Sequence, residues 1–142
     1  MYVGEYRVAL DDKSRMRIPS KLKNQLGGQA VTICAGTEKS LFLMTETQFR
    51  KWVGESAENS LISERERQNA LRMISSTVFY PEEDGQGRFV LPAKLRTYAG
   101  IDKKVVFLGA INRIEIWSEE AYEASYGVDQ LDINAAVKAL NM

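Results

Sequence analysis

Two aspartate–arginine turns are where residue type and spacing in this chain point to a definite chemistry. The first, Asp11-Asp12-Lys13-Ser14-Arg15, leads into Met16-Arg17-Ile18-Pro19-Ser20-Lys21-Leu22. The second, Asp84-Gly85-Gln86-Gly87-Arg88, leads into Phe89-Val90-Leu91-Pro92-Ala93-Lys94-Leu95. In each, an acid opens a tight polar turn, an arginine closes it, and a short apolar run ends at a proline. An aspartate in that position accepts backbone N–H bonds across the turn, and a glycine such as Gly87 supplies a positive φ at little cost. The arginine then has two options. Folded back on its acid, it only orients a loop, and a surface ion pair contributes little to stability. Reaching outward, two arginine-bearing hairpin tips meet phosphates and base edges, which the planar guanidinium fork suits. The first tip concentrates Lys13, Arg15 and Arg17, and along a strand Arg15 and Arg17 share a face. Gln86 and Arg88 are the corresponding candidate contacts of the second tip. Asp11, Ser14, Asp84 and Gly87 are the residues that shape the turns.

Other chemistries are poorly served. The chain has no histidine, which removes Ser-His-Asp and Cys-His catalysis and histidine metal sites together. Cys34 is the single cysteine, so no internal disulfide or multi-cysteine zinc site exists. It lies in the apolar run Val31-Thr32-Ile33-Cys34-Ala35, where a buried small residue is expected. Gly85-Gln86-Gly87 is too short for a phosphate loop, and no Gly-Lys-Ser/Thr follows it. No enzyme activity, cofactor, metal or small-molecule substrate is therefore expected.

The two turns belong to a longer repetition. An offset of 73 residues superposes Arg15 on Arg88, Pro19 on Pro92 and Leu22 on Leu95, then continues without a gap to Gly27 on Gly100, Gly36 on Gly109 and Glu46 on Glu119. An echo of this length signals two copies of one supersecondary unit. The chain has 142 residues, and a half of about 50 residues buries too little apolar surface to be comfortable alone. A shared core follows. Each copy reads as strand, tight turn, strand, short helix, two strands and a helix. Residues 5–10, 16–18, 30–35, 40–44, 77–80, 104–109 and 113–117 read as strands. Ser20, Thr45, Ser63 and Ser118 stand at helix starts, and residues 54–60 have a linker's composition. Trp52 and Trp117 are read as core residues. The expected fold is α+β, mainly β, with the two halves forming a pseudo-symmetric barrel flanked by helices. The expected boundaries are a first domain over 5–47, a helical connector over 48–76, a second domain over 77–120 and a C-terminal helical tail over 121–142.

Net charge is zero, which alone argues against a nucleic-acid binder. The distribution differs. Residues 1–25 carry six bases against three acids and residues 84–104 five against two, whereas residues 115–142 carry six acids and one base, Lys138. Positive charge thus accompanies the repeated element, and such local patches bind phosphates even when the total cancels. Lys21, Lys23, Lys94 and Arg96 are read as solvated helix faces. No run of eighteen apolar residues occurs and the start lacks a secretory pattern. No membrane partner is expected, and a cytoplasmic location follows.

With the opening Met1-x-x-Gly4-Glu5-Tyr6, the paired turns and the stretch Asn112-Arg113-Ile114-Glu115-Ile116-Trp117 in view, the sequence resembles the MraZ family of bacterial transcriptional regulators. The resemblance extends to about Tyr126. It implies two tandem SpoVT-AbrB-like halves in a swapped-hairpin barrel, ring-shaped homo-oligomers and association with the nucleoid. It also implies double-stranded DNA as partner, in the form of short repeats in the promoter of the division and cell-wall gene cluster, usually with repression. Ser14 departs from the pattern, standing where the family prefers glycine. If that position needs a positive φ, the first tip is altered or looser. A different class of function is an oligomeric, antitoxin-like interaction module that reads no DNA and works through its acidic C-terminal segment.

Overall fold

Alternation along the strands and a capping side chain ahead of most of the longer helices build each half in the same way. The computed structural model describes residues 1–58 and 61–142. The first half comprises β1 (Tyr2–Ala9), β2 (Arg15–Arg17), α1 (Ser20–Gln25), β3 (Val31–Ala35), β4 (Leu41–Thr45) and α2 (Glu46–Ala57). After α3 (Glu64–Ser75), the second comprises β5 (Arg88–Val90), α4 (Ala93–Ala99), β6 (Lys104–Ile111), β7 (Ile114–Ser118) and α5 (Glu119–Tyr126), with α6 (Ile133–Ala139) following. The 73-residue offset carries β2 onto β5 and β4 onto β7 residue for residue.

Five strands form one antiparallel sheet in the order β1-β6-β7-β4-β3, and β2 and β5 form a separate two-stranded ribbon. β1 pairs with β6, β4 with β7 and β2 with β5, so these three ladders each join the two halves. Within a half, only β3 with β4 and β6 with β7 are paired. The fold is mixed α and β, as expected, but the expected barrel is not a closed ring of hydrogen bonds: β1 and β3 end the main sheet. The strand expected over 77–80 contracts to one bridge, in which Ile33 N donates to Phe79 O at 2.8 Å and Phe79 N to Ile33 O at 2.7 Å. It occupies the place that β1 holds in the other half. It stays short because α3 runs to Ser75 on one side and Pro81, which has no donor, follows on the other.

Strand alternation divides the sheet's faces cleanly. Leu41, Leu43, Val105, Phe107, Ile114 and Ile116 face a core completed by Met16 and Phe89 from the ribbon, Leu22 and Leu95 from the short helices, and Leu91 between β5 and α4. The offset pairs Met16 with Phe89, Ile18 with Leu91 and Leu22 with Leu95, all buried in this one cluster. The opposite face is covered twice: Phe49 and Trp52 of α2 pack on Cys34, Phe42 and Met44, and Tyr122 of α5 packs on Val106 and Trp117. Cys34 is only 1% exposed, and burial pushes its thiol up to about 11.

Thr45 caps α2 by accepting from Gln48 N at 3.0 Å, while Gln48 Oε1 accepts from Thr45 N at 3.1 Å. Ser63 and Ser118 cap α3 and α5 through Glu66 N and Ala121 N. Ser20 does not cap α1; Pro19 takes that place, with its fixed φ of −51° already suited to a helix start. α2 also continues to Ala57, well into the expected linker, because a lone Gly54 in a helix costs only about 1 kcal/mol. Asn59 and Ser60, at the end of that linker, lie outside the described residues. Among the described residues no helix is long and apolar enough to cross a membrane.

β1 lies close against β6 at Gly109, which pairs with Gly4. A Cβ built on Gly109 would stand 2.4 Å from Val3 N and 2.7 Å from two further backbone atoms. Backbone cannot swing aside as a flexible side chain does. Gly109→Ala is therefore expected to destabilise the protein by about 2 kcal/mol or more, read as a lowered midpoint in urea unfolding; an unchanged midpoint would show that β1 lies less tightly against β6.

Candidate nucleic-acid interface

The two turns have one geometry. In the first, Asp11 Oδ1 accepts from Lys13 N and Arg15 N, both at 2.9 Å, and Oδ2 accepts from Arg15 Nε at 2.6 Å. In the second, Asp84 Oδ1 accepts from Gln86 N and Arg88 N, both at 2.9 Å, and Oδ2 accepts from Arg88 Nε at 2.8 Å. The backbone agrees: Ser14 N donates to Asp11 O and Gly87 N to Asp84 O, each at 2.9 Å. Ser14 takes φ 60° and Gly87 φ 75°. The position does require a left-handed residue, and serine adopts it without losing any bond of the turn. The first tip is strained rather than altered.

Each carboxylate is held ionised by these donors. The N–H of Arg88 is the leading cause that brings Asp84 down to about 2, with the Gln86 N–H and the Arg88 guanidinium adding to it. The Arg15 N–H likewise leads in lowering Asp11, with the Arg15 guanidinium and the Lys13 N–H assisting. Each arginine therefore does fold back, but only through Nε. Among the described residues the Nη atoms of Arg15 and Arg88 have no hydrogen-bond partner, so the two-nitrogen edge of each fork stays available.

The ribbon then sets their direction. Its register is Arg15 opposite Val90, Met16 opposite Phe89 and Arg17 opposite Arg88. Directly opposed residues share a face. Met16 and Phe89 are each 2% exposed and anchor one side in the core, so Arg15, Arg17, Arg88 and Val90 make up the other. Arg15, Arg88 and Val90 line one shallow depression of about 780 Å³, together with Tyr80, Glu82 and Asp84. The turns lie at opposite ends of the ribbon because its strands are antiparallel, yet their arginines emerge on the same side. At the second end, Arg17 Nη2 donates to Gln86 Oε1 at 3.3 Å. Lys13 is exposed at the first tip.

Two of the remaining basic residues are less free than expected, while Lys21 is exposed as expected. Lys23 pairs with Glu83 at 2.6 Å beside the second tip, and Lys94 donates to Ser76 O at 3.1 Å. The 112–117 stretch is structural: the Arg113 guanidinium meets Glu115 at 2.7 Å, and the buried Glu115 also accepts from Trp117 Nε1 at 3.0 Å. Val90 and Tyr80 are the face residues that sequence reasoning overlooked. Alternation from Arg88 was a sufficient signal for Val90, whereas nothing in the sequence places Tyr80 beside the ribbon.

Fold and site together define a duplicated α+β protein that presents a cationic two-stranded ribbon. Comparisons with known proteins give the same division. The family model described as "MraZ protein, putative antitoxin-like" matches twice, over residues 1–72 and 73–138. A protein of Lachnoclostridium phytofermentans named Transcriptional regulator MraZ is 35% identical over 132 residues, covering 93% of this chain and 91% of its own length. Proteins of the same name are 33% identical in Micrococcus luteus, over 86% of this chain and 84% of the relative, and 35% identical in Mesoplasma florum, over 93% and 89%. The chain belongs to the MraZ family.

Two measurements test the turn. Ser14→Gly should stabilise the protein by about 1 kcal/mol, the usual relief of a left-handed side chain, raising the midpoint of denaturant unfolding; a lower midpoint would mean the serine is not strained. Because Asp84 is depressed in the folded state, the stability it confers is complete above its ordinary value of 3.8 and is lost as pH falls through about 2. The gap in melting temperature between the protein and Asp84→Asn should accordingly be full at pH 5 and close between pH 4 and 2. A gap that stayed constant would remove the clamp from the account.

Proposed function

We propose that this protein regulates transcription by laying the outer face of the β2–β5 ribbon against duplex DNA. What carries this reading is that Arg15, Arg17 and Arg88 stand together on the solvent side of an antiparallel ribbon whose other side is fixed in the core. The major groove is about 12 Å wide and admits a two-stranded ribbon, and strands of three residues are roughly 10 Å long. The aspartate clamps hold Arg15 and Arg88 in one rotamer in advance, reducing the ordering that binding would otherwise require. Their free Nη edges suit the bidentate acceptors of guanine or phosphate. Lys13 adds charge at one tip, and Gln86 both steadies Arg17 and offers an amide at the other. The names of the relatives, transcriptional regulators, support the same reading.

Its finer parts rest on the family resemblance. The partner is double-stranded DNA carrying short repeats, in the promoter of the division and cell-wall gene cluster with this gene included, and the outcome is repression. The protein works in the cytoplasm at the nucleoid, as ring-shaped homo-oligomers that engage several repeats at once and so raise the effective concentration of each ribbon. The kinship with swapped-hairpin barrels is supported by the three ladders that cross between halves. Self-association is supported by apolar side chains left outside, among them Val3, Ile111, Leu131, Ile133 and Leu140. The two domains span 5–47 and 77–120, joined by a helical connector over 48–76 and followed by a C-terminal helical tail over 121–142.

Affinity for a promoter fragment bearing the repeats, measured across a salt series, tests the reading. Arg15→Ala and Arg88→Ala should each weaken binding on the order of tenfold or more, and each should flatten the salt dependence by about one ion. Both variants binding as tightly as the parent, with its salt slope, would reject the ribbon as the reading surface.

A further inference from the structure

The ribbon is nearly two-fold symmetric, and the place where the symmetry fails has chemical content. The offset that relates the halves maps Arg15 onto Arg88 but Arg17 onto Val90, and Lys13 onto Gln86. On the outer face these residues form a square. One diagonal, Arg15 and Arg88, is the same in both halves and is clamped in the same way. The other diagonal is not: a guanidinium stands at one corner and an isopropyl group at the other. The two ends of the ribbon consequently differ. One presents Lys13, Arg15 and Val90. The other presents Arg88 and Arg17, with Arg17 held by the Gln86 amide at 3.3 Å.

Val90 is 42% exposed although it lies in a strand whose next residue inward, Phe89, is 2% exposed. Among the described residues no apolar cluster of the chain includes it. It shares its depression with Arg15 and Arg88, so whatever those arginines touch lies beside Val90 as well. In the major groove an apolar side chain has one distinctive partner, the C5 methyl of thymine, whereas an arginine has the O6 and N7 acceptors of guanine.

We propose that Val90 is a specificity-determining residue that reads a thymine methyl, while Arg17, positioned by Gln86, reads a guanine at the opposite end of the same ribbon. The inference rests on the ribbon being the DNA-reading surface. It assigns to each copy of the protein an element whose two ends are chemically unlike, so a box presented in reverse does not fit.

The test begins with selection of duplexes from a random-sequence pool by the full-length protein. The selected duplex is then synthesised with each thymine replaced singly by uracil, which deletes only the methyl group. The parent protein should lose affinity at one thymine by about fourfold, the worth of one buried methyl. Val90→Ser and Val90→Ala should abolish that penalty while leaving the salt slope and the oligomer mass unchanged. Arg17→Val should leave the uracil penalty intact and relax the preference for guanine at the far end. A parent that selects a box yet ignores every uracil, or Val90 variants that keep the penalty, would overturn the inference and leave the ribbon reading standing. A Val90 variant with altered oligomer mass would overturn it by placing Val90 in a subunit contact. If Arg15→Ala and Arg88→Ala still bind the selected duplex at full strength, the ribbon reading falls, and this inference with it.

Discussion

Neither half of this chain can satisfy the backbone of its own leading strand. β1 finds its hydrogen-bonding partner in β6, and the bridge at Phe79 finds its own in β3, so each half completes the other's sheet. The same dependence governs the core, where Met16 and Phe89, Ile18 and Leu91, and Leu22 and Leu95 meet in one cluster instead of two. A buried amide without a partner costs as much as a lost hydrogen bond, which leaves little room for one half to be folded while the other is not. The β2–β5 ribbon inherits this constraint. It exists only because both halves are present, and it is where the protein brings its clamped arginines together.

The aspartates have a double effect at the ribbon's ends. By accepting two backbone N–H groups apiece they close the turns, and by taking the arginine Nε they fix the direction of each guanidinium. The same carboxylate would repel a phosphate if it were bare. Surrounded by three donors, it stays ionised but its charge is compensated where it stands. Folding back and reaching outward, which look like alternatives in the sequence, are thus compatible: Nε does the first and leaves the Nη edge for the second.

Much of this is legible in the sequence. The 73-residue echo predicted two equivalent turns and a shared core, and the caps at Thr45, Ser63 and Ser118 were readable from residue type. Position 14 was only a condition in the sequence; the structure supplies both its φ of 60° and the intact bonds of the turn. What was hidden belongs to long-range pairing. Nothing local in Thr77-Val78-Phe79-Tyr80 shows that only one residue will bridge, since that depends on where α3 ends and on which strand lies opposite. The partnership of β2 with β5, and hence the square of Arg15, Arg17, Arg88 and Val90, is likewise a tertiary fact. Composition also misled over residues 54–57, where α2 runs on although Gly54, Glu55 and Ser56 are exposed, because a single glycine and a serine cost a helix little.

The chain's lone thiol has a practical use. Cys34 is sealed under Phe42 and Met44 and ionises only near pH 11, while alkylating reagents act on the thiolate. At neutral pH it will stay silent towards maleimides. A single cysteine introduced at an exposed site such as Lys13 or Gln86 can therefore carry a fluorophore or spin label alone, with no need to rebuild the interior first.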